Sequence, residues 1–260
     1  MFLSALIIAS FVALGSAQIS GIGQQCMTAL EGVLASPDAS GCLNTGALLA
    51  LGISNNSTFV PALNTWVTGL CGQPACSNAT LSAVTQNITS GCSTELKALG
   101  VNTDKDSTSQ LTQDIQTYYP TVRKVFCLKD GGNLCINETF TNLANSLGGL
   151  SLASLSADVT DGIKTLTNLP NNITCTDCIK ETYNIVVQDF PKDQSVLQAA
   201  AKAKCGASFV DGSAPSTVSQ SANSAVQSTK SAALGHRSMF ADSFFGAATL
   251  LIVPILSTFA

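Results

Sequence analysis

The sequence predicts an all-α domain stapled by disulfides. Three observations predict it. Apolar residues recur at intervals of three and four along most of the chain, which gathers each set on one face of a helix. Sustained period-two alternation, the mark of half-buried strands, is absent. Ten cysteines, an even number, stand at Cys26, Cys42, Cys71, Cys76, Cys92, Cys127, Cys135, Cys175, Cys178 and Cys205. In a secreted chain such a set implies a disulfide framework.

The chain opens on an apolar run, Met1 to Leu14, followed by the small residues Gly15-Ser16-Ala17. That order reads as a signal peptide over 1–17, although its first residues carry no Lys or Arg. The folded domain is expected over 18–211. Helices are predicted near 22–35, 42–52, 58–70, 77–90, 92–99, 107–127, 136–147, 158–168, 178–190 and 194–205. The stripes that place them include Leu111, Ile115, Tyr118, Val122 and Val125, and likewise Ile179, Tyr183, Val186 and Phe190. Ser36-Pro37-Asp38 should end the first helix and Pro191 a later one, because proline lacks the amide donor and restricts its predecessor. Pro120 should kink or split 107–127. Gly131-Gly132-Asn133 should turn the chain between Cys127 and Cys135.

Three segments share Cys-x-x-x-Thr and a following apolar residue: CSNATLSAV at Cys76, CINETFTNL at Cys135 and CIKETYNIV at Cys178. A coarser pattern sets Cys26, 42, 71, 76 and 92 against Cys127, 135, 175, 178 and 205. One reading is a tandem duplication with halves 18–100 and 107–211, joined by the polar stretch Gly100 to Gln110. The other is that a cysteine opening a helix beside threonine is a common staple. Five cysteines per half is odd, so a fully paired duplication needs a bridge between halves.

After Phe209 the composition changes. Gly212 to Ser231 is rich in Ser, Thr and Ala, with Val218 and Val226 its largest apolar residues. Such a segment buries too little surface to offset chain entropy. It reads as a flexible stalk open to O-glycosylation, spanning 212–231. Beyond it come the small residues Ser231-Ala232-Ala233, a polar spacer, and the apolar run Phe244 to Ala260. That order is the signal for a glycosylphosphatidylinositol (GPI) anchor, with Ser231 as the attachment residue and 232–260 removed. Asn223 is the poorer choice, since its spacer is too long. A spanning helix is the lesser reading: Pro254 interrupts the run, and no Lys or Arg follows it.

Six sequons, at Asn55, Asn56, Asn78, Asn87, Asn137 and Asn172, point to the same secretory route. Only 11 % of residues are charged and the net charge is −4. No Lys/Arg cluster forms a basic face, which argues against nucleic acid as a partner.

Catalytic chemistry is thinly supplied. The one histidine, His236, lies in the segment expected to be removed. Imidazole-dependent triads and most zinc or haem ligation then have no residue to use. Paired thiols are not nucleophiles. The CxxC at Cys175 and Cys178 lacks the surroundings of a redox motif, and a structural bridge is expected there. A carboxylate pair, as in glycosidases, is the remaining route. The acids from Glu31 to Asp211 mostly fall at helix ends or polar faces, where capping and solvation explain them. Asp104-Lys105-Asp106 lacks the glycine and closing glutamate of a calcium loop. Trp66 sits in an apolar stripe and is expected in the core, with Tyr118 and Tyr119 half-buried. No catalytic residue, metal site or cofactor is expected, and the chain is read as a non-enzyme.

The AQIS junction, SNATLSAV after CGQPAC, YYPTVRKVFCLKD, NITCTDCIKETY and CGASFVDGS before a Ser/Thr/Ala stretch resemble a group of small secreted, cysteine-rich glycoproteins of fungi. The resemblance covers most of 18–231 and implies no assigned activity. The spacings depart from those of the haem-binding fungal cysteine-rich domain, so haem binding does not carry over. The expectation is a non-enzymatic glycoprotein of the cell surface or wall, tethered to the membrane by a lipid anchor, with wall polysaccharide as a candidate partner. The alternative is a lipid- or sterol-binding helical module that takes an apolar small molecule.

Overall fold

A computed structural model describes residues 22–52, 54, 57–149 and 169–227. The described chain is mainly helical, with α1 Gln24–Ala35, α2 Pro37–Leu43, α3 Thr45–Gly52, α4 Phe59–Gly72, α5 Asn78–Gly91, α6 Ser93–Ala98 and α7 Lys105–Phe126. After a small hairpin follow α8 Cys135–Leu147, α9 Asn171–Thr174, α10 Asp177–Asp189 and α11 Gln194–Cys205. The helices match the predicted stripes, except that α2 and α9 were not foreseen. The predicted helix 158–168 lies outside the described residues.

The stops are local chemistry. Ser36 ends α1 in an extended conformation, and its hydroxyl accepts from the Ala39 amide to cap α2, with Pro37 as the first helical residue. Asn44, in the left-handed region at φ 52°, ends α2. Gly131 and Gly132 both have positive φ and form the two-residue loop of a hairpin between β1 Leu128–Asp130 and β2 Asn133–Leu134. Pro120 does not split α7, which runs unbroken through it. The ring is exposed, and packing against α5 and α10 holds the helix in place.

All ten cysteines pair: Cys26–Cys92, Cys42–Cys76, Cys71–Cys127, Cys135–Cys178 and Cys175–Cys205. Cys42–Cys76 and Cys135–Cys178 occupy equivalent places in the two cysteine sets. The other bridges do not follow the repeat, and Cys71–Cys127 alone crosses between the sets. In two of the Cys-x-x-x-Thr segments the threonine hydroxyl donates to the cysteine carbonyl one turn back, Thr139 to Cys135 and Thr182 to Cys178, each at 2.9 Å. The recurring threonine thus has a local cause.

One main core draws on both halves. Phe59, Leu63, Trp66, Val67 and Leu70 of α4 join Val125 and Phe126 of α7, Phe140 and Leu143 of α8, and Ile179, Tyr183 and Val186 of α10. A second cluster holds α1 against α5 through Cys26, Ala29, Ile88 and Cys92, with Leu111 of α7. There Gly91 is required by close approach: a Cβ on it would stand 2.2 Å from that of Ala29. Helix α7 contributes to both clusters, so the two halves are not separate cores. Trp66 is buried as expected; its Nε1 donates to Leu43 O at 2.8 Å, and Phe126 meets it edge-on.

The stretch read as a flexible stalk is ordered through Gln227. Val218–Gln220 forms β3, antiparallel to β1, in a sheet of order β2-β1-β3. The Ser221 amide donates to Cys127 O at 2.9 Å, Asn223 N to Cys71 O at 2.8 Å, and Asn223 Nδ2 to Gly72 O at 3.1 Å. Ala75 N donates to Ala225 O at 2.8 Å and Gln227 N to Ala75 O at 3.0 Å. Composition missed this because apolar burial is not what holds the segment. It binds carbonyls that helices α4 and α7 leave unpaired at their C-terminal ends. Residues 228–231 lie outside the described part.

Arg123 completes the same junction. It is only 4 % exposed. Its Nη1 donates to Leu70 O at 2.6 Å, and Nη2 donates to Gln73 O and to Asn223 O. A guanidinium at the C-terminal turn of α4 also opposes the helix dipole. Arg123→Met keeps an apolar stem but strands these carbonyls, and should cost about 2–4 kcal/mol in urea unfolding. Replacing Cys71 and Cys127 together by Ser should cost a similar ~2–4 kcal/mol, with the far-UV circular dichroism of the folded protein unchanged.

Candidate functional site

Two of the acids come together where β1, α8 and α10 meet. The hairpin brings back Asp130, the first turn of α8 supplies Glu138, and the start of α10 supplies Asp177 and Cys178. Carboxylate oxygens of Asp130 and Glu138 and the sulfur of Cys178 lie within 4.8 Å of one another. Glu138 has its pKa raised, first by burial and then by the negative charges of Asp130 and Asp177. Cys178 adds neither a thiolate ligand nor a nucleophile, because its sulfur is bonded to Cys135.

Sequence reading treated Asp130 and Glu138 as separate solvated acids. The glycine pair of the hairpin was the available signal, but the disulfide that draws α8 to α10 could not be assigned in advance. For sugar chemistry a carboxylate pair needs aromatic platforms as well. Trp66 and Tyr183 are buried in the core. Tyr118 packs on Phe190 with ring centroids 5.0 Å apart, and the Tyr119 hydroxyl accepts from Cys76 N at 2.9 Å. The one tryptophan and three tyrosines of the chain are thus engaged in packing or backbone contacts.

Asp104 and Asp177 have structural places at helix starts. Asp104 caps α7, accepting from the Ser107 amide at 2.8 Å, and that backbone hydrogen bond holds its pKa below the usual range. Thr176 caps α10, its hydroxyl accepting from Ile179 N. Asp177 stands in the first turn, where its charge favours the dipole.

The described sequons sit on helices. Asn78, Asn87 and Asn172 are exposed and Asn137 is half-buried. Their partner threonines Thr80, Thr89 and Thr174 are buried. Asn55, Asn56, Ser231 and His236 lie outside the described residues, as do the two apolar end segments. No helix among the described residues is long and apolar enough to cross a membrane.

No protein-family model matches the chain, and no curated protein or solved structure matches it either. The five disulfides accord with an oxidising, extracellular compartment.

Asp114 is the buried acid that neither sequence nor site uses. It is 6 % exposed on α7. Its Oδ1 accepts from Gln110 Nε2 at 3.1 Å, while Oδ2 is buried without a partner. Burial pushes its pKa up to about 6, partly countered by Gln110. A raised carboxyl pKa favours folding while the group is protonated. Its stabilisation is complete below the unfolded value near 3.8 and is lost as pH rises through about 6. Asp114→Asn keeps the Gln110 contact and removes the charge. It should raise stability at pH 7 by about 1–3 kcal/mol and flatten the dependence between pH 4 and about 6, read by urea unfolding across that range.

Proposed function

We propose that this protein is a non-enzymatic glycoprotein displayed on the outer face of a plasma membrane or in a cell wall, held by a GPI anchor, with a structural or interaction role. The observation that carries the reading is the closure of all ten cysteines into five disulfides, which suits exposure to an oxidising exterior and leaves no thiol for chemistry. The end segments, the sequons and the resemblance to secreted fungal glycoproteins support the same address. Among the described residues the tyrosine and tryptophan rings are engaged in packing or backbone contacts, which leaves the Asp130–Glu138 pair no such ring to seat a sugar.

Phosphatidylinositol-specific phospholipase on intact cells, or glucanase on walls, should free a chain that lacks Phe244 to Ala260 and is linked through Ser231 to lipid remnant or glucan. A mature chain still containing that tail would refute the anchor. Polysaccharide cleavage that vanishes in both Asp130→Ala and Glu138→Ala would refute the non-enzymatic reading.

A further inference from the structure

The CxxC of Cys175 and Cys178 opens helix α10 and holds two bridges of opposite character. Cys178, the second residue of α10, is 1 % exposed and bonded to Cys135. Glu138 Oε2 lies 3.6 Å from its sulfur, with Asp130 close by. Burial keeps an external thiol out, and the carboxylates repel the anionic thiolate that would attack. Cys175, just before the N-cap Thr176, is half-buried, as is its partner Cys205. The cysteines of the other four bridges are each at most 5 % exposed. Cys71–Cys127 moreover lies under the strap that residues 212–227 form, where Ser221 N and Asn223 N bind its carbonyls.

The half-buried bridge has a basic side. Cys205 closes α11, whose last turn carries Lys202 and Lys204, and that helix contains no Asp or Glu. Lys202 is exposed, and Lys204 Nζ donates to Leu169 O at 2.9 Å. Asp177, the nearest acid along the chain, accepts from the Thr217 hydroxyl of the strap. A thiolate drawn to this corner meets two sulfurs with unequal fates. Released as a thiolate, Cys175 rests at the positive end of the α10 dipole, whereas Cys205 rests at the negative end of α11. The sulfur whose thiolate is better stabilised leaves faster. Little else holds the corner shut. Among the described residues of α11 only Ala201 is buried. The bridge also closes the shortest of the five loops, 30 residues, and so restricts the unfolded chain least.

We propose that Cys175–Cys205 is a thiol-exchange site, at which a small external thiol is captured on Cys205. The thiolate attacks Cys205 Sγ. A new S–S bond forms there, the Cys205–Cys175 bond breaks, and its electron pair goes to Cys175. This exchange is redox-neutral. Attack by a second thiolate on the captured sulfur releases the thiol as its disulfide dimer and leaves both cysteines reduced, the two thiols supplying the two electrons. The domain needs no free cysteine for this, because the bridge itself is the electrophile, and the site does not depend on the anchor. Capture opens the covalent tie between the end of α9 and the end of α11 and leaves the other bridges closed.

The test uses the full chain, purified without reductant. It is exposed to glutathione under native conditions, quenched with N-ethylmaleimide at successive times and mapped by mass spectrometry. Glutathione should appear on Cys205 and N-ethylmaleimide on Cys175, at least about tenfold faster than any modification of the other cysteines. Far-UV circular dichroism should stay native while this adduct forms. Equal or faster reaction at another bridge overturns the proposal, and so does the absence of any adduct until urea unfolds the chain. Glutathione on Cys175 with the maleimide on Cys205 overturns the assignment of the attacked sulfur. The double variant Cys175→Ser, Cys205→Ser should take up no glutathione; uptake by this variant with native circular dichroism overturns the site. Mapping of the native chain decides the matter even where the double variant does not fold.

Discussion

The structure depends on one junction, where the C-terminal ends of α4 and α7 are locked together by Cys71–Cys127. Two helix ends bring two sets of unpaired carbonyls and two negative dipole ends into one place. Left to themselves they would repel and require water. Arg123, one turn before the end of α7, pairs with Leu70 O and Gln73 O. The strap covers Cys71 O, Gly72 O and Cys127 O. Its Ser221 hydroxyl donates to Cys127 O as well, at 2.6 Å. A buried cation without a carboxylate is stable here because helix carbonyls supply the negative partner.

That junction explains why the two cysteine sets fold as one body. The unit around Cys26–Cys92 is held by α1 and α5 at the close contact of Gly91 with Ala29. The unit around Cys135–Cys178 and Cys175–Cys205 gathers α8 to α11. Helix α7 runs from one to the other, with Leu111 in the first cluster and Phe126 in the second. A strict repeat of the bridges would have left Cys71 and Cys175 as the odd pair. Instead Cys71 takes Cys127, at the point where both helices need their ends closed. Burial of the disulfide, with Cys127 wholly inaccessible and Cys71 nearly so, shields it from exchange with external thiols.

The same accounting bears on function. Most candidates for chemistry turn out to be busy elsewhere: the cysteines in bridges, Trp66 in the core, Asp104 in a cap, Tyr119 on the Cys76 amide. Asp130 and Glu138 converge on Cys178, whose sulfur is closed in a disulfide. A domain built this way spends its polar groups on holding itself together. That suits a protein that must endure an oxidising exterior.

The sequence by itself determined the helices, since the three-and-four spacing of apolar residues is a local record of which face is buried. It also determined the stops at Pro37 and Pro191, the turn at Gly131-Gly132 and the core place of Trp66. Tertiary structure decided which cysteines pair, because ten cysteines at any spacing are compatible with many connectivities and only packing chooses among them. It brought Asp130 to Glu138, two acids on different elements drawn together by a hairpin and a disulfide. It kept α7 whole through Pro120, because packing against α5 and α10 holds the helix in place. It also turned the first sixteen residues of the expected stalk into a strap. Small polar side chains carry no sign of such a role, since the binding is done by their backbone, and the carbonyls that bind them exist only once α4 and α7 have met.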